Sequence, residues 1–242
     1  MSFLKKIPRA QRFFDKWAPG YEASLRDYRY SVPETLFNAV WPYVAARAET
    51  SDMPLRVLDI GIGTGLSAAP FRATGKTYIV GLDVSKAMLA LCRAKGVADE
   101  LHHCEGGRVD FPCESQSFDI VIAGGVLEFV DDSERLFEEI QRVLKPGGIL
   151  AVTHETPETK TLYKTGLLEG VIEDGEHSVI IRRSYFHRFL PRAYYKYLQS
   201  ARNAENLFIL NDISVLQSSP FKAYEWGADQ KITYNLIVGQ RF

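Results

Sequence analysis

The apolar run Leu55-Arg56-Val57-Leu58-Asp59-Ile60 breaks into Gly61-Ile62-Gly63-Thr64-Gly65, and a segment of helical character follows. Strand, tight turn and helix satisfy that order. Alternating glycines tolerate unusual backbone angles and let the main chain approach a ligand closely, and in open α/β sheets such turns lie at the carboxyl ends of the strands. The next predicted strand, Thr77 to Leu82, ends at Asp83. That is about 20 residues on, the interval that sets a carboxylate against ribose hydroxyls.

The pattern continues. After the glycines a helix is expected from about Thr64 to Thr74, closed by Gly75. Ser85 has the character of an N-cap for a helix Lys86 to Lys95, with Gly96 as its stop. A weak third strand is expected near Glu100 to Cys104. The continuous apolar run Phe118 to Ala123 suits a central parallel strand buried on both faces. A helix Ser133 to Leu144 stops before Pro146-Gly147-Gly148, and Ile149 to Thr153 forms the fifth strand. From Glu155 to Asn206 no βα period is visible. These residues read as a substrate-facing insertion with one helix, about Tyr185 to Ser200. The stretches Leu207 to Leu216 and Ile232 to Val238 read as a closing antiparallel strand pair. The fold class expected is α/β: a doubly wound, mostly parallel sheet of seven strands. The organisation expected is an N-terminal helical lid over 1–50 and a catalytic domain over 51–242, with the insertion at about 155–206.

Three convergent features (the glycine turn, Asp83, and the strand–turn–helix setting) point to an adenosine-containing ligand. A dinucleotide fingerprint wants a third glycine one residue later, where Leu66 stands. A pyrophosphate needs bare helix N–H groups, whereas an acidic turn carrying Asp59 suits an ammonium or sulfonium. A nicotinamide-dependent oxidoreductase is therefore the distant alternative.

Here the resemblance becomes specific. Leu58 to Gly65 resembles the first motif of the class I S-adenosylmethionine-dependent methyltransferases, and Gly81-Leu82-Asp83-Val84-Ser85 with Met88-Leu89 resembles the second. Ser117 to Val121, Val126-Leu127-Glu128 and Val143 to Gly148 are similar to the later ones. Upstream, Phe14-Asp15, Trp17-Ala18 and Tyr21-Glu22 resemble the lid of small-molecule branches, and Arg29 to Glu34 resembles a methyltransferase-like, Williams–Beuren-region-like branch. The resemblance implies S-adenosylmethionine as cofactor. Its methionine and ribose would be cradled by Gly61, Gly63 and Gly65, with Asp59 near the amino group. Asp83 would take the ribose hydroxyls, Val84 and Met88 would pack on adenine, Tyr21 would close from the lid, and Gly124 would border the cofactor. Where the family commonly places an adenine-binding Asp, the pair here is Gly106-Gly107, so Glu105, Asp110 or the backbone of Arg108 and Val109 takes that role.

Methyl transfer needs a base only when the nucleophile is protonated. Glu128 and His154 are the catalytic candidates at strand ends, with Glu155 beside them. Each also has a structural reading: a loop hydrogen bond, a cap, a solvated charge. Phe129 stands where the family often has His.

The net charge of −1 gives no global attraction to nucleic acid, and no base-amine motif follows the fourth strand, where Ala123-Gly124-Gly125-Val126 stands. Nucleic acid is thus an unfavoured partner, and a small-molecule acceptor the favoured one. The run Arg182-Arg183-Ser184-Tyr185-Phe186-His187-Arg188 leaves an RNA or protein methyltransferase as an alternative, and a non-catalytic cofactor-binding module as another. His102-His103-Cys104 is not read as a metal site, because adjacent strand side chains point to opposite faces. The three cysteines lack metal or disulfide spacing, which suits a reduced, cytoplasmic compartment. No run approaches a membrane span. The basic, aromatic N-terminus Met1 to Trp17 reads as an amphipathic helix on the fold rather than a transit peptide.

Overall fold

Residues 10–159, 170–174, 177–181, 193–226 and 230–242 are described by the structure, a computed structural model. Strands β1 (Leu55–Ile60), β2 (Thr77–Asp83), β3 (Glu100–His103), β4 (Phe118–Gly124) and β5 (Leu144–Glu155) are mutually parallel. Strands β6 (Gly170–Asp174), β7 (His177–Ile181) and β8 (Ala193–Lys196) make a separate antiparallel sheet. Strands β9 (Ile213–Trp226) and β10 (Gln230–Arg241) pair antiparallel, and β10 also pairs antiparallel with β5. The main sheet therefore has seven strands in the order β3-β2-β1-β4-β5-β10-β9. The order reverses between β1 and β4, the position where open sheets form ligand crevices.

Helices α1 (Ala10–Trp17), α2 (Tyr21–Asp27) and α3 (Val32–Thr50) precede the sheet; α4 (Ala69–Ala73), α5 (Lys86–Lys95), α6 (Ser133–Val143) and α7 (Ala201–Leu210) wrap it. One face packs Val32, Leu36, Val40 and Val44 of α3 and Phe71 of α4 against Val57, Ile120 and Ile122. The other packs Leu136, Phe137 and Ile140 of α6 and Phe208 of α7 against Leu58, Val121 and Val152. Neighbouring positions of β4 thus feed opposite layers, as the two-residue strand period requires. Both layers being apolar explains why the β4 run carries no polar alternation.

Ser85 caps α5 by accepting from the Met88 amide at 3.1 Å, and Gly96 ends it in the left-handed region at φ 65°. Several expectations need correction. The helix expected from Thr64 begins only at Ala69, because Pro70 fits the first turn of a helix and lacks the N–H an earlier start would need. Leu207 to Leu210 belong to α7, not to a strand. Ser200 caps that helix, and Ala204, Leu207 and Phe208 are buried while Ile209 and Leu210 are exposed, a helical rather than a two-residue period. The antiparallel pair therefore begins at Ile213, and Ser218-Ser219-Pro220 lies within β9 rather than linking the pair. The helix expected over Tyr185 to Ser200 is replaced at its C-terminal end by β8, paired with β7. Its part over 185–192 lies outside the described residues. Pro146-Gly147-Gly148 does not simply end a helix. The register steps from Phe118–Leu144 to Ile120–Ile149, so 145–148 loop out of an otherwise continuous ladder.

Candidate functional site

The end of β1 is stitched to β2 by the amides of Gly61 and Ile62, which donate to the Leu82 carbonyl at 2.7 and 3.0 Å. Gly61 adopts φ 69°, and a Cβ there would come within 2.4 Å of Val126 Cγ2. Gly63, at φ 56°, faces space with nothing nearer than its own turn's Gly61 carbonyl at 3.9 Å. The first glycine is thus required by close packing, while the second leaves main chain open to a ligand.

Asp83 holds this turn in shape. Its carboxylate accepts from the Gly63 amide and the Ser85 amide, each at 2.7 Å. Burial pushes its carboxyl up to about 6, the two amides and His103 pulling the other way and Asp15 adding to the rise. Asp59 is 1% exposed, and neither carboxylate oxygen has a hydrogen-bond partner. Burial, with a smaller contribution from Asp83, holds its carboxyl well above the usual range. A buried anion without a partner is costly, so this position is complementary to an arriving cation. Met88 is buried beside Ser85, and Val84 is half-buried with its carbonyl 2.9 Å from His103 Nε2.

The N-terminal helices are tied to the same edge. Asp15 of α1 accepts from Ser85 Oγ at 2.6 Å and from the Ala87 amide at 3.2 Å. Phe14 meets Phe129 edge-on at 5.0 Å, and Trp17 meets Tyr21 at 4.9 Å. Tyr21 is brought among carboxylates: burial raises its phenol strongly, with Asp83, Asp59 and Glu128 adding to the effect. Phe129, standing where the family often has His, is thus a packing platform for α1.

The expected adenine loop is built differently. Gly107 has φ 81°, and a Cβ would lie 2.6 Å from Val130 Cγ1 and 2.7 Å from the Asp132 carbonyl oxygen. Glycine is there because the Val130–Asp132 segment presses on it. Arg108 and Val109 are exposed. The Arg108 amide donates to the Glu105 carbonyl at 3.2 Å, and its guanidinium is held by Glu105 and Asp131. Asp110 is paired with Arg135. Gly124, at the end of β4, faces Leu36, Ser67 and Val32 on the α3 side, where a Cβ would sit 3.0 Å from each.

Glu128 follows β4 on a single 3-10 turn, Leu127–Phe129, and is 1% exposed. Its Oε1 accepts from the Tyr234 hydroxyl at 2.8 Å, while Oε2 has no hydrogen-bond partner. Burial pushes the carboxyl up to about 7; Lys196 and the Tyr234 hydrogen bond oppose the rise and Glu155 adds to it. Tyr234 of β10 stands opposite Glu155 in register, and Glu155 is paired with Lys196 and accepts from Thr159 Oγ1 at 2.7 Å. Tyr224 packs on both Tyr30 and Tyr234, with ring centroids 4.7 and 5.7 Å apart. The chain leaving β8 closes on this turn through the Tyr197 amide, which donates to the Glu128 carbonyl at 2.8 Å.

His154 is not brought together with Glu128. Alternation along β5 turns it to the layer of Leu150 and Val152, opposite the face shared by Glu155 and Tyr234. It is 1% exposed, its Nδ1 lies 3.3 Å from the Glu155 carbonyl, and burial lowers its proton affinity. The geometry is that of a neutral interior histidine. Glu155, read from sequence as a solvated charge, is instead fully buried. The cationic run 182–188 lies outside the described residues.

Sequence reasoning missed Asp15 as a latch, Tyr234 as the hydrogen-bond partner of Glu128, and Tyr30, Tyr224 and Lys196 as its neighbours. Tyr234 falls at alternate positions with Leu236 and Val238 and so reads as a strand residue. Nothing in the sequence joins it to a carboxylate 106 residues away.

Fold and site together define an open-sheet α/β protein whose glycine turn and buried carboxylates gather at the carboxyl edge, where the strand order reverses between β1 and β4. Residues 58–152 match the family described as a methyltransferase domain. Human Methyltransferase-like protein 27 is 30% identical over 164 residues, 68% of this chain and 65% of that protein. The demethylmenaquinone methyltransferase of Chlorobaculum parvum is 32% identical over 162 residues, 63% of this chain and 64% of that one. The chain thus spans a little under two thirds of the length of both. A SAM-dependent methyltransferase from Methanosarcina mazei shares the fold, with a TM-score of 0.62 at 16% identity, covering 81% of this chain and 97% of that one. Residues 58–152 thus form a methyltransferase domain, and the chain is similar to S-adenosylmethionine-dependent methyltransferases in sequence and fold.

Proposed function

We propose that this chain binds S-adenosylmethionine across the glycine turn and transfers its methyl group to a small-molecule acceptor held beside Glu128. The observation that carries the cofactor is Asp59: a buried carboxylate with both oxygens unpartnered, next to a turn whose Gly63 leaves main chain exposed to ligand. The residues present fit the cofactor. Asp59 receives the amino group, the Gly61–Gly65 backbone holds the methionine and ribose portion, Asp83 faces the ribose hydroxyls, and Val84 and Met88 border the adenine. Gly124 and Tyr21 bound the site from β4 and from the N-terminal helices. Arg108 and Val109 are the weakest members of the set, since the Arg108 amide and guanidinium are already engaged.

When bound, the cofactor supplies a methyl carbon already activated by its sulfonium. The protein's part is to hold a nucleophile in line and exclude water. Of the 1–50 segment, α1 and α2 serve as the lid, latched by Asp15, while α3 packs on the sheet of the 51–242 domain; the described part of the insertion at about 155–206 closes on the Glu128 turn. Glu128 is the group at hand for moving a proton, because its Oε2 is free to accept and its carboxyl, raised to about 7, exchanges protons near neutrality. His154 has no part in this reading. A small-molecule acceptor is supported by the enclosed, aromatic character of the Glu128 environment and by the kinship with a menaquinone-pathway relative. Isothermal titration with S-adenosylmethionine tests the core of the reading: a saturable isotherm is expected, and folded protein that binds nothing at millimolar cofactor would overturn it.

A further inference from the structure

Four carboxylates lie at or near the carboxyl edge of the sheet, and each has a different status. Asp83 accepts one amide at each oxygen and is assigned above to the ribose, and Glu155 is paired with Lys196 and bonded to Thr159. Asp59 is assigned above to the cofactor. Glu128 remains: buried, fixed at Oε1 by Tyr234, and unpartnered at Oε2. Its surroundings are rings. The Tyr30 hydroxyl and the Tyr234 ring edge converge on Gly125, each 3.5 Å from where a Cβ would stand, with Glu128 Oε1 at 3.7 Å. Tyr21, Tyr30 and Tyr224 all lie within the field of Glu128. Among the described residues of this cluster the cation is Lys196, and its ammonium is committed to Glu155.

We propose that the acceptor is an organic amine, bound as its ammonium with an N–H donated to Glu128 Oε2 and its hydrocarbon part against Tyr30, Tyr224 and Tyr234. This rests on the methyltransferase reading above. The chemistry selects among small acceptors. A carboxylate or phosphate acceptor would meet the Glu128 charge where the cluster's cation among the described residues, Lys196, is already paired with Glu155. A neutral alcohol or phenol would satisfy Oε2 but leave the local negative charge unbalanced. An ammonium does both, and aromatic faces favour cations, most strongly where water is excluded. The same contact prepares the nucleophile. The N–H bond breaks toward Glu128 Oε2, an O–H bond forms, and nitrogen keeps the electron pair as the neutral amine. The methylated product leaves as an ammonium, and the Glu128 proton returns to solvent.

The test uses the full chain saturated with S-adenosylhomocysteine and three probes sharing one ring: 2-phenylethylamine, 2-phenylethanol and phenylacetate. Titration calorimetry is expected to give the amine at least about tenfold tighter binding than either analogue. Glu128→Gln should reduce the amine to the level of the alcohol while S-adenosylhomocysteine affinity stays within about twofold. Tyr234→Phe, which leaves the carboxylate in place, should weaken amine binding less than Glu128→Gln does. The inference is overturned if the product analogue binds but the amine shows no preference, or if the preference survives in Glu128→Gln. Failure of S-adenosylhomocysteine itself to bind overturns the methyltransferase reading, and this inference with it.

Discussion

Replacing Glu128 by Gln should make the ligand-free protein gain stability relative to the parent as pH rises, while disabling the acceptor side of the site. Gln has the volume of Glu and keeps an oxygen to accept from Tyr234, now 2.8 Å from Oε1. What is removed is a buried titratable charge. In the folded chain the Glu128 carboxyl is raised, chiefly by burial, from 4.5 to about 7. A raised carboxyl means the folded state holds its proton more tightly than the unfolded one. Below pH 4.5 both states are protonated and nothing is lost. As pH rises toward 7 the unfolded chain releases the proton first, and stability falls. Above 7 the loss is complete. At about 1.4 kcal/mol per pH unit this amounts to about 3 kcal/mol, or about 6–12 °C in melting temperature for a chain of this size. Gln carries its own penalty of about 1–3 kcal/mol for a buried amide lacking partners, but that offset does not vary with pH. The groups facing Glu128 (Lys196, Glu155, Tyr21, Tyr30, Tyr224 and Tyr234) remain in both proteins and cancel to first order. Thermal melts of the two proteins from pH 4.5 to 8.5 should therefore show Glu128→Gln gaining on the parent as pH rises. A melting difference that is flat across that range would refute the burial argument.

Four further substitutions separate packing from ligand binding. Gly61→Ala should cost about 2–4 kcal/mol, since it forces a left-handed backbone and turns Val126 away; Gly63→Ala should cost only about 1 kcal/mol yet weaken cofactor binding, because its outward face is open. Denaturant unfolding and calorimetric titration, run on both, check the split. Asp59→Asn should leave the ligand-free melting temperature unchanged or raised at pH 8, because the carboxylate it removes has no partner, while S-adenosylmethionine affinity falls about 10- to 100-fold; parallel melts and titrations read the two effects. Gly107→Asp, which installs the residue the family commonly carries, should lower stability by about 2–4 kcal/mol and gain no cofactor affinity. Its Cβ collides with Val130 and the Asp132 carbonyl, so a tightened cofactor isotherm would count against that account.

The glycine turn, Asp83, the Ser85 cap and the Gly96 stop were legible because each is a local event. A left-handed angle, a cap and a strand end are decided within a few residues of chain. The Leu207–Leu210 run was not, because four consecutive apolar residues suit a strand as well as a helix. Ser200 and the α6 side of the sheet settled it. The start of α4 was legible in principle from Pro70, but the apolar pattern after Gly65 masked it.

Sequence alone determined the glycine turn and the β1 and β2 ends of this protein, because these are backbone turns and strand ends close together in the chain. The status of its carboxylates was left to the tertiary structure. Asp83 accepts two amides and Asp59 none, although both stand at or next to a strand end. Glu128 and His154, paired as candidates by their strand-end positions, fall on opposite faces of the sheet. Strand alternation and the return of β10 beside β5 decide which of them meets Tyr234 and which is sealed in a hydrocarbon layer. Burial and partners fix a carboxylate's charge, and for Glu128 the partner comes from 106 residues away.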